Sequence, residues 1–205
     1  MRFAVGIVIM AYLLGSIPFS YLIVKLKTRK DVRSVGSGNV GATNAMRAAG
    51  KGAGIAALLL DVGKGIAAVL LARRLGASPG LVGAAAFFVM LGHCYPLWLK
   101  FQGGKGVATS AGAMGALAPP AMALTLVAFV IVVAWKRYVS LGSITAAVSF
   151  VWFVFITQRL GWEDRDPALL LAATVIGLFI VWKHRPNIER IRQGIEPRLG
   201  ERRAG

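Results

Sequence analysis

Carboxylates are scarce in this chain. Eight Asp and Glu stand against 24 Lys and Arg in 205 residues, a formal net charge of +16. No group of acids is spaced to hold a divalent cation. Histidine is scarcer still, and His93 and His184 do not make a zinc-binding pattern. The one cysteine, Cys94, excludes an internal disulfide and a thiolate metal cluster. There is no nucleophile elbow of the G-x-S-x-G type, and spacing pairs no base with a nucleophile. Neither a metal nor an organic cofactor is expected. Charged residues of both signs make only 16% of the chain, whereas 57% is hydrophobic, which excludes a disordered polymer and indicates a membrane protein. The basic residues are scattered between apolar runs instead of forming the stripe that nucleic acid requires, so nucleic acid is not an expected partner. They read first as loop charges that set topology, and second as attraction for anionic substrates and lipid headgroups.

The apolar runs predict an all-α integral membrane protein. Residues 3–24 contain no charge and are long enough to cross the bilayer core; they exceed a signal-peptide core and read as a retained helix. A polar basic loop follows at 25–51. Further crossings are expected at 53–72, 79–99, 141–158 and 168–182. The stretch between Lys105 and Lys136 holds 30 uncharged residues split by Pro119-Pro120. As one helix it would run about 45 Å, too long for a core of about 30 Å. The proline pair favours two short helices, and so seven crossings. That topology gathers 18 of the 24 basic residues on one side. By the positive-inside rule this side is cytoplasmic, with the N-terminus outside and the C-terminus inside. Residues 1–190 are expected as a single transmembrane domain and 191–205 as a basic cytoplasmic tail, a surface helix giving way to a frayed end.

Two polar stretches interrupt this apolar background. Ser37-Gly38-Asn39-Val40-Gly41-Ala42-Thr43-Asn44 with Arg47 combines glycines with compact donors, and Thr43 and Arg47 would share a helix face at i, i+4. Gly103-Gly104-Lys105-Gly106 precedes a helix start, an arrangement that aims first-turn amides and an ammonium at one anion. The Walker A spacing is not met. Flexible loops and hinges are the bland alternative for both. Asp61 and Lys64, at i, i+3 inside an apolar helix, are expected to pair or to face the interior. His93 reads as a packed core histidine, and Ser143 as a helix cap or a ligand. His184 and Asn187 would emerge level with the other loops. This inventory suits anion binding and positioning, not covalent catalysis.

Taken in order, Gly15-Ser16-Ile17-Pro18, the 36–44 segment with Arg47, Asp61-Val62-Gly63-Lys64-Gly65, Gly92-His93, residues 103–109 and His184-Arg185-Pro186-Asn187-Ile188 resemble the bacterial acyl-phosphate:glycerol-3-phosphate acyltransferase family, the PlsY type. The resemblance covers residues 15 to about 190. It implies seven helices in the bacterial inner membrane with the motifs facing the cytoplasm. The implied reaction moves an acyl group from an acyl phosphate to position 1 of sn-glycerol-3-phosphate, giving lysophosphatidic acid and phosphate at the first step of phospholipid synthesis. By resemblance, Lys105, Arg47, Ser37, His184 and Asn187 fall on catalytic positions. Asn39, Gly41, Thr43, Asn44, Gly103, Gly104, Gly106 and Ser143 fall on substrate- or phosphate-binding ones. Acyl phosphate, glycerol-3-phosphate and membrane lipid are the expected partners of a monomer. A small transporter is the alternative, suggested by Asp61, Lys64 and the proline-broken helices. A polyprenyl-phosphate enzyme would want an acidic cluster or a histidine pair, and neither occurs.

Overall fold

The computed structural model describes residues 1–200; the last part of the expected tail, 201–205, lies outside the described residues. Among the described residues ten α-helices and two short 3₁₀ turns form, and no strand. They divide into two compact units, 1–117 and 118 onward.

In the first unit α1 (Arg2–Gly15) and α2 (Phe19–Thr28) replace the single helix expected over 3–24. The break falls at 16–18 because Pro18 carries no N–H and its ring crowds the preceding turn. The two pieces together remain one apolar span of 27 residues. The expected basic loop is partly ordered: a 3₁₀ turn (Val32–Ser34) and α3 (Ala42–Ala49) sit over a small core of Val24, Val32, Val40, Ala45, Ala57 and Leu99. The valines spaced through the loop are what fold it down. Next come α4 (Lys51–Arg74) and α5 (Pro79–Cys94), then a second 3₁₀ turn (Leu97–Leu99). The unit closes with α6 (Val107–Leu117).

Two helix pairs in this unit approach to backbone contact, and each does so through reciprocal glycines. On α4 and α6, a Cβ at Gly65 would overlap the Thr109 carbonyl oxygen, and one at Gly112 would overlap that of Val62. On α1 and α5, Gly15 meets the Val89 carbonyl while Gly92 meets that of Tyr12. Membrane helices lack a hydrophobic drive to associate, so small residues that admit a neighbouring backbone determine where they pack.

The second unit contains α7 (Pro119–Lys136), α8 (Val139–Arg159), α9 (Pro167–Lys183) and α10 (Arg185–Arg192). As the Pro119-Pro120 pair suggested, helix stops at Leu117 and restarts at Pro119. Leu126, Val127, Val130, Ile131 and Trp135 leave much of α7 an exposed apolar surface, which suits lipid contact. Helices α9 and α10 bend by 51° at His184.

Among the described residues, five segments can cross a membrane by length and composition, or six with the bent α9–α10 pair. Helix α6, at 11 residues, is shorter than the crossing expected of it. It rises about 16 Å, roughly half the hydrocarbon thickness.

Candidate active site

The 36–47 segment is built around Asn44. Its side chain is 1% exposed, and its amide nitrogen donates to the carbonyls of Val32, Val35 and Asn39 at 2.8, 2.9 and 3.0 Å. Its Oδ1 accepts the Ser37 N–H at 3.0 Å. Asn44, expected at a phosphate-binding position, has both ends of its side-chain amide committed to the loop and so organises it. The same bonds present the others: Ser37 is exposed, while Asn39, Gly41 and Thr43 are half-buried. Thr43 and Arg47 both lie on α3, as their spacing required, and Arg47 is exposed.

The 103–106 segment is seated on the end of α5. Gly103 N–H donates to the Cys94 carbonyl at 3.2 Å and Gly104 N–H to that of His93 at 3.1 Å. Gly104 is buried against the His93 ring and the Val40 carbonyl, both of which stand where a Cβ would be. Val40 lies between Asn39 and Gly41, so the two glycine segments meet here. Gly106 has φ +85°, a left-handed turn that glycine adopts without strain. The Ser110 N–H bonds back to the Gly106 carbonyl at 2.8 Å, so α6 opens at once and directs the amides of its first turn toward the loop carrying Lys105.

Asp61 and Lys64 pair as expected, at 2.8 Å. His93 is a buried histidine, and it is also the third member of that cluster, 3.0 Å from the ammonium through Nδ1. A lone histidine near a helix end gave no hint of this.

In the second unit His184 lies buried at the α9–α10 bend, its Nδ1–H donating to the Ile180 carbonyl at 2.8 Å. Ser143 is buried on α8 and donates back to the Val139 carbonyl at 2.9 Å, so it is not the helix cap considered above. Asn187 is buried and donates to Glu196 Oε1 at 2.7 Å.

Glu196 is the residue that sequence reasoning missed. The segment from 191, expected as a tail, returns to its unit: Ser140 Oγ donates to Glu196 Oε1 at 2.6 Å, and Arg190 Nε to Oε2 at 2.7 Å. Leu199 N–H reaches the Arg137 carbonyl at 2.6 Å. Burial pushes the Glu196 carboxyl pKa up, but the bonds from Ser140, Asn187 and Arg190 outweigh it and hold the pKa below the ordinary value. A lowered folded-state pKa contributes stability above the ordinary carboxylate range and loses it as pH falls through the folded value. Acidification from pH 6 to below about 4 is therefore expected to release the 193–199 segment, seen as faster proteolysis there. Glu196→Ala should produce the same release at pH 7, at about 2–4 kcal/mol.

No group of three or more potential metal ligands occurs among the described residues. The arrangement offers a cation, compact donors and backbone amides, all suited to anions. Against known proteins, residues 5–194 match the family described as "Glycerol-3-phosphate acyltransferase". The chain is 44% identical over 200 residues to a protein of that name from Desulforamulus reducens, covering 97% of this chain and 96% of the relative. It is 43% identical to one from Thermosynechococcus vestitus, covering 94% and 93%. Two crystal structures of PlsY, described as an integral membrane glycerol 3-phosphate acyltransferase, share its fold. The glycerol 3-phosphate form matches with a TM-score of 0.87 at 43% identity over 96% of each chain. The lysophosphatidic acid form matches with 0.85 at 41% identity, over 96% of this chain and 95% of that one. On this agreement of sequence, fold and anion-binding chemistry, the chain belongs to the PlsY-type glycerol-3-phosphate acyltransferases, which are multi-pass membrane proteins.

Proposed function

We propose that this chain transfers an acyl group from an acyl phosphate to the 1-hydroxyl of sn-glycerol-3-phosphate, releasing lysophosphatidic acid and inorganic phosphate. The observation that carries the reading is the meeting of the two glycine segments at Gly104 and Val40, which brings two sets of anion-binding backbone together in one unit. An acyl phosphate is already activated, so the protein supplies no nucleophile. It holds two anions and aims a hydroxyl at a carbonyl, a form of catalysis worth about 7–11 kcal/mol. Lys105, Arg47 and the amides at the start of α6 offset repulsion between the phosphates and stabilise charge growing on the leaving group. A substrate phosphate oxygen takes the hydroxyl proton. Ser37, Asn39, Thr43 and the glycines at 41, 103, 104 and 106 line the phosphate sites. By the family resemblance, Ser143, His184 and Asn187 also serve the substrates in this reading.

The proposed setting is the bacterial inner membrane, with seven crossings, the N-terminus outside and the motifs facing the cytoplasm. The short α6 is then a crossing completed by protein-lined loop, where non-helical backbone is tolerated at depth. The chain works as a monomer.

The test is purified protein with glycerol-3-phosphate and either palmitoyl phosphate or palmitoyl-CoA, without metal. Equimolar lysophosphatidate and phosphate from the first donor alone is the expected result. Equal turnover with the CoA ester would refute the donor assignment. Arg47→Lys should lower kcat/KM by about 10–100-fold, because an ammonium cannot reproduce two parallel bonds to one phosphate.

A further inference from the structure

The buried charges on α4 and the glycine loop ahead of α6 are joined through one imidazole. Lys64 is 4% exposed, Asp61 2% and His93 7%. The Lys64 ammonium has three protons and three acceptors around it. Asp61 Oδ1 meets it as an ion pair at 2.8 Å, His93 Nδ1 lies at 3.0 Å, and the Ile17 carbonyl at 2.9 Å. Ile17 sits in the α1–α2 break, where the helical ladder has lapsed, so the ammonium also satisfies a carbonyl there. Nδ1 also lies 3.4 Å from Asp61 Oδ1, but the ammonium is nearer and only donates, so Nδ1 accepts from it; we assign the ring proton to Nε2, and Nε2 is the ring atom that faces Gly104. The His93 and Cys94 carbonyls meanwhile take the Gly104 and Gly103 amides.

We propose that Asp61 and Lys64 are positioning residues which, through His93, set the height and register of the 103–106 phosphate loop. The inference rests on the reading of that loop as a phosphate site given above. A buried ion pair adds little net stability over apolar residues of the same volume, so stability alone is a weak reason for this one. A ring fixed at Nδ1 by a charge on a neighbouring helix is, by contrast, a rigid floor for a glycine that packs on its other edge. With the ring released, Gly104 can sink toward α5, and the first amides of α6 and Lys105 shift with it. Displacements of that kind change binding and rate steeply.

The test compares Gly104→Ala with the neutral, nearly isosteric double variant Asp61→Asn/Lys64→Met, reading kcat, both KM values and the thermal midpoint in detergent. Gly104→Ala marks which phosphate substrate the loop holds. The double variant is expected to raise the KM for that same substrate about tenfold while changing the other KM less than about twofold. Adding Gly104→Ala to it should then do little more, since both act on one contact. Wild-type KM values in the double variant, whatever its midpoint, would overturn the proposal and leave a plain ion pair. Unchanged KM values in Gly104→Ala would instead sink the phosphate-loop reading itself, and the proposal with it. If the double variant does not fold, His93→Asn serves the same purpose. Its shorter amide still accepts from Lys64 but withdraws from Gly104, so a raised KM supports the proposal and an unchanged one refutes it. His93→Gln, reaching Gly104 again, should recover part of the loss.

Discussion

Lys105→Ala is expected to reduce turnover by at least about 10²–10³-fold, the loss seen when one preorganised donor is removed from a developing negative charge. The effect is large because the proposed mechanism has no covalent step and no metal to fall back on. Two phosphorylated reactants must be brought together, and close like charges repel strongly where water is excluded. Lys105 lies half-buried between Gly104 and Gly106, in a loop fixed by its backbone bonds to Cys94 and His93. Its side chain is not part of the buried core. The thermal midpoint should therefore stay within a few degrees of wild type, and the variant should still elute as folded protein in detergent. Near wild-type turnover would remove Lys105 from the chemistry.

Gly112→Ala is expected to have the largest effect on the fold. The added methyl group would overlap the Val62 carbonyl, and backbone cannot swing aside as a side chain does. Helices α4 and α6 would have to separate along a contact that Gly65 makes equally close from the other side. Overpacking of this kind costs about 1–3 kcal/mol, and more where two backbones are opposed. The displacement would also reach Asp61, which adjoins Val62 on α4, and run along α6 to the 103–106 loop. A fall in midpoint of several degrees with lost activity is expected, measured beside Gly52→Ala, whose added Cβ meets nothing within 4 Å and should be silent.

Several features were legible because a local rule carries them. The Pro119-Pro120 pair breaks the 30-residue apolar run where proline chemistry requires, and Asp61 finds Lys64 because an isolated charge in an apolar helix has few other choices. The Thr43 and Arg47 spacing places both on α3. What escaped depends on partners distant in the chain. Hydropathy averages over Pro18, so α1 and α2 read as one helix until the ring's clash with the preceding turn is considered. Nothing local distinguishes Asn44, whose amide is committed to the loop, from Asn39, which is half-buried. Glu196 looks like a tail charge until Ser140, 56 residues earlier, is seen to bond to it. The glycines at 65 and 112 reveal their role only with the opposing backbone in view. His93 joins a cluster 29 residues upstream for the same reason.

In the proposed mechanism the glycerol hydroxyl attacks the acyl phosphate directly, in a site whose power lies in holding two anions. Isotope exchange separates this direct attack from an acyl-enzyme route. Purified protein is incubated with palmitoyl phosphate and radiolabelled inorganic phosphate, first without and then with glycerol-3-phosphate. Without the acceptor no label should enter palmitoyl phosphate, because no acyl-enzyme forms to be captured by phosphate. Label entering the acyl phosphate in the absence of glycerol-3-phosphate, at a rate comparable to turnover, would establish a covalent intermediate and rule out direct attack.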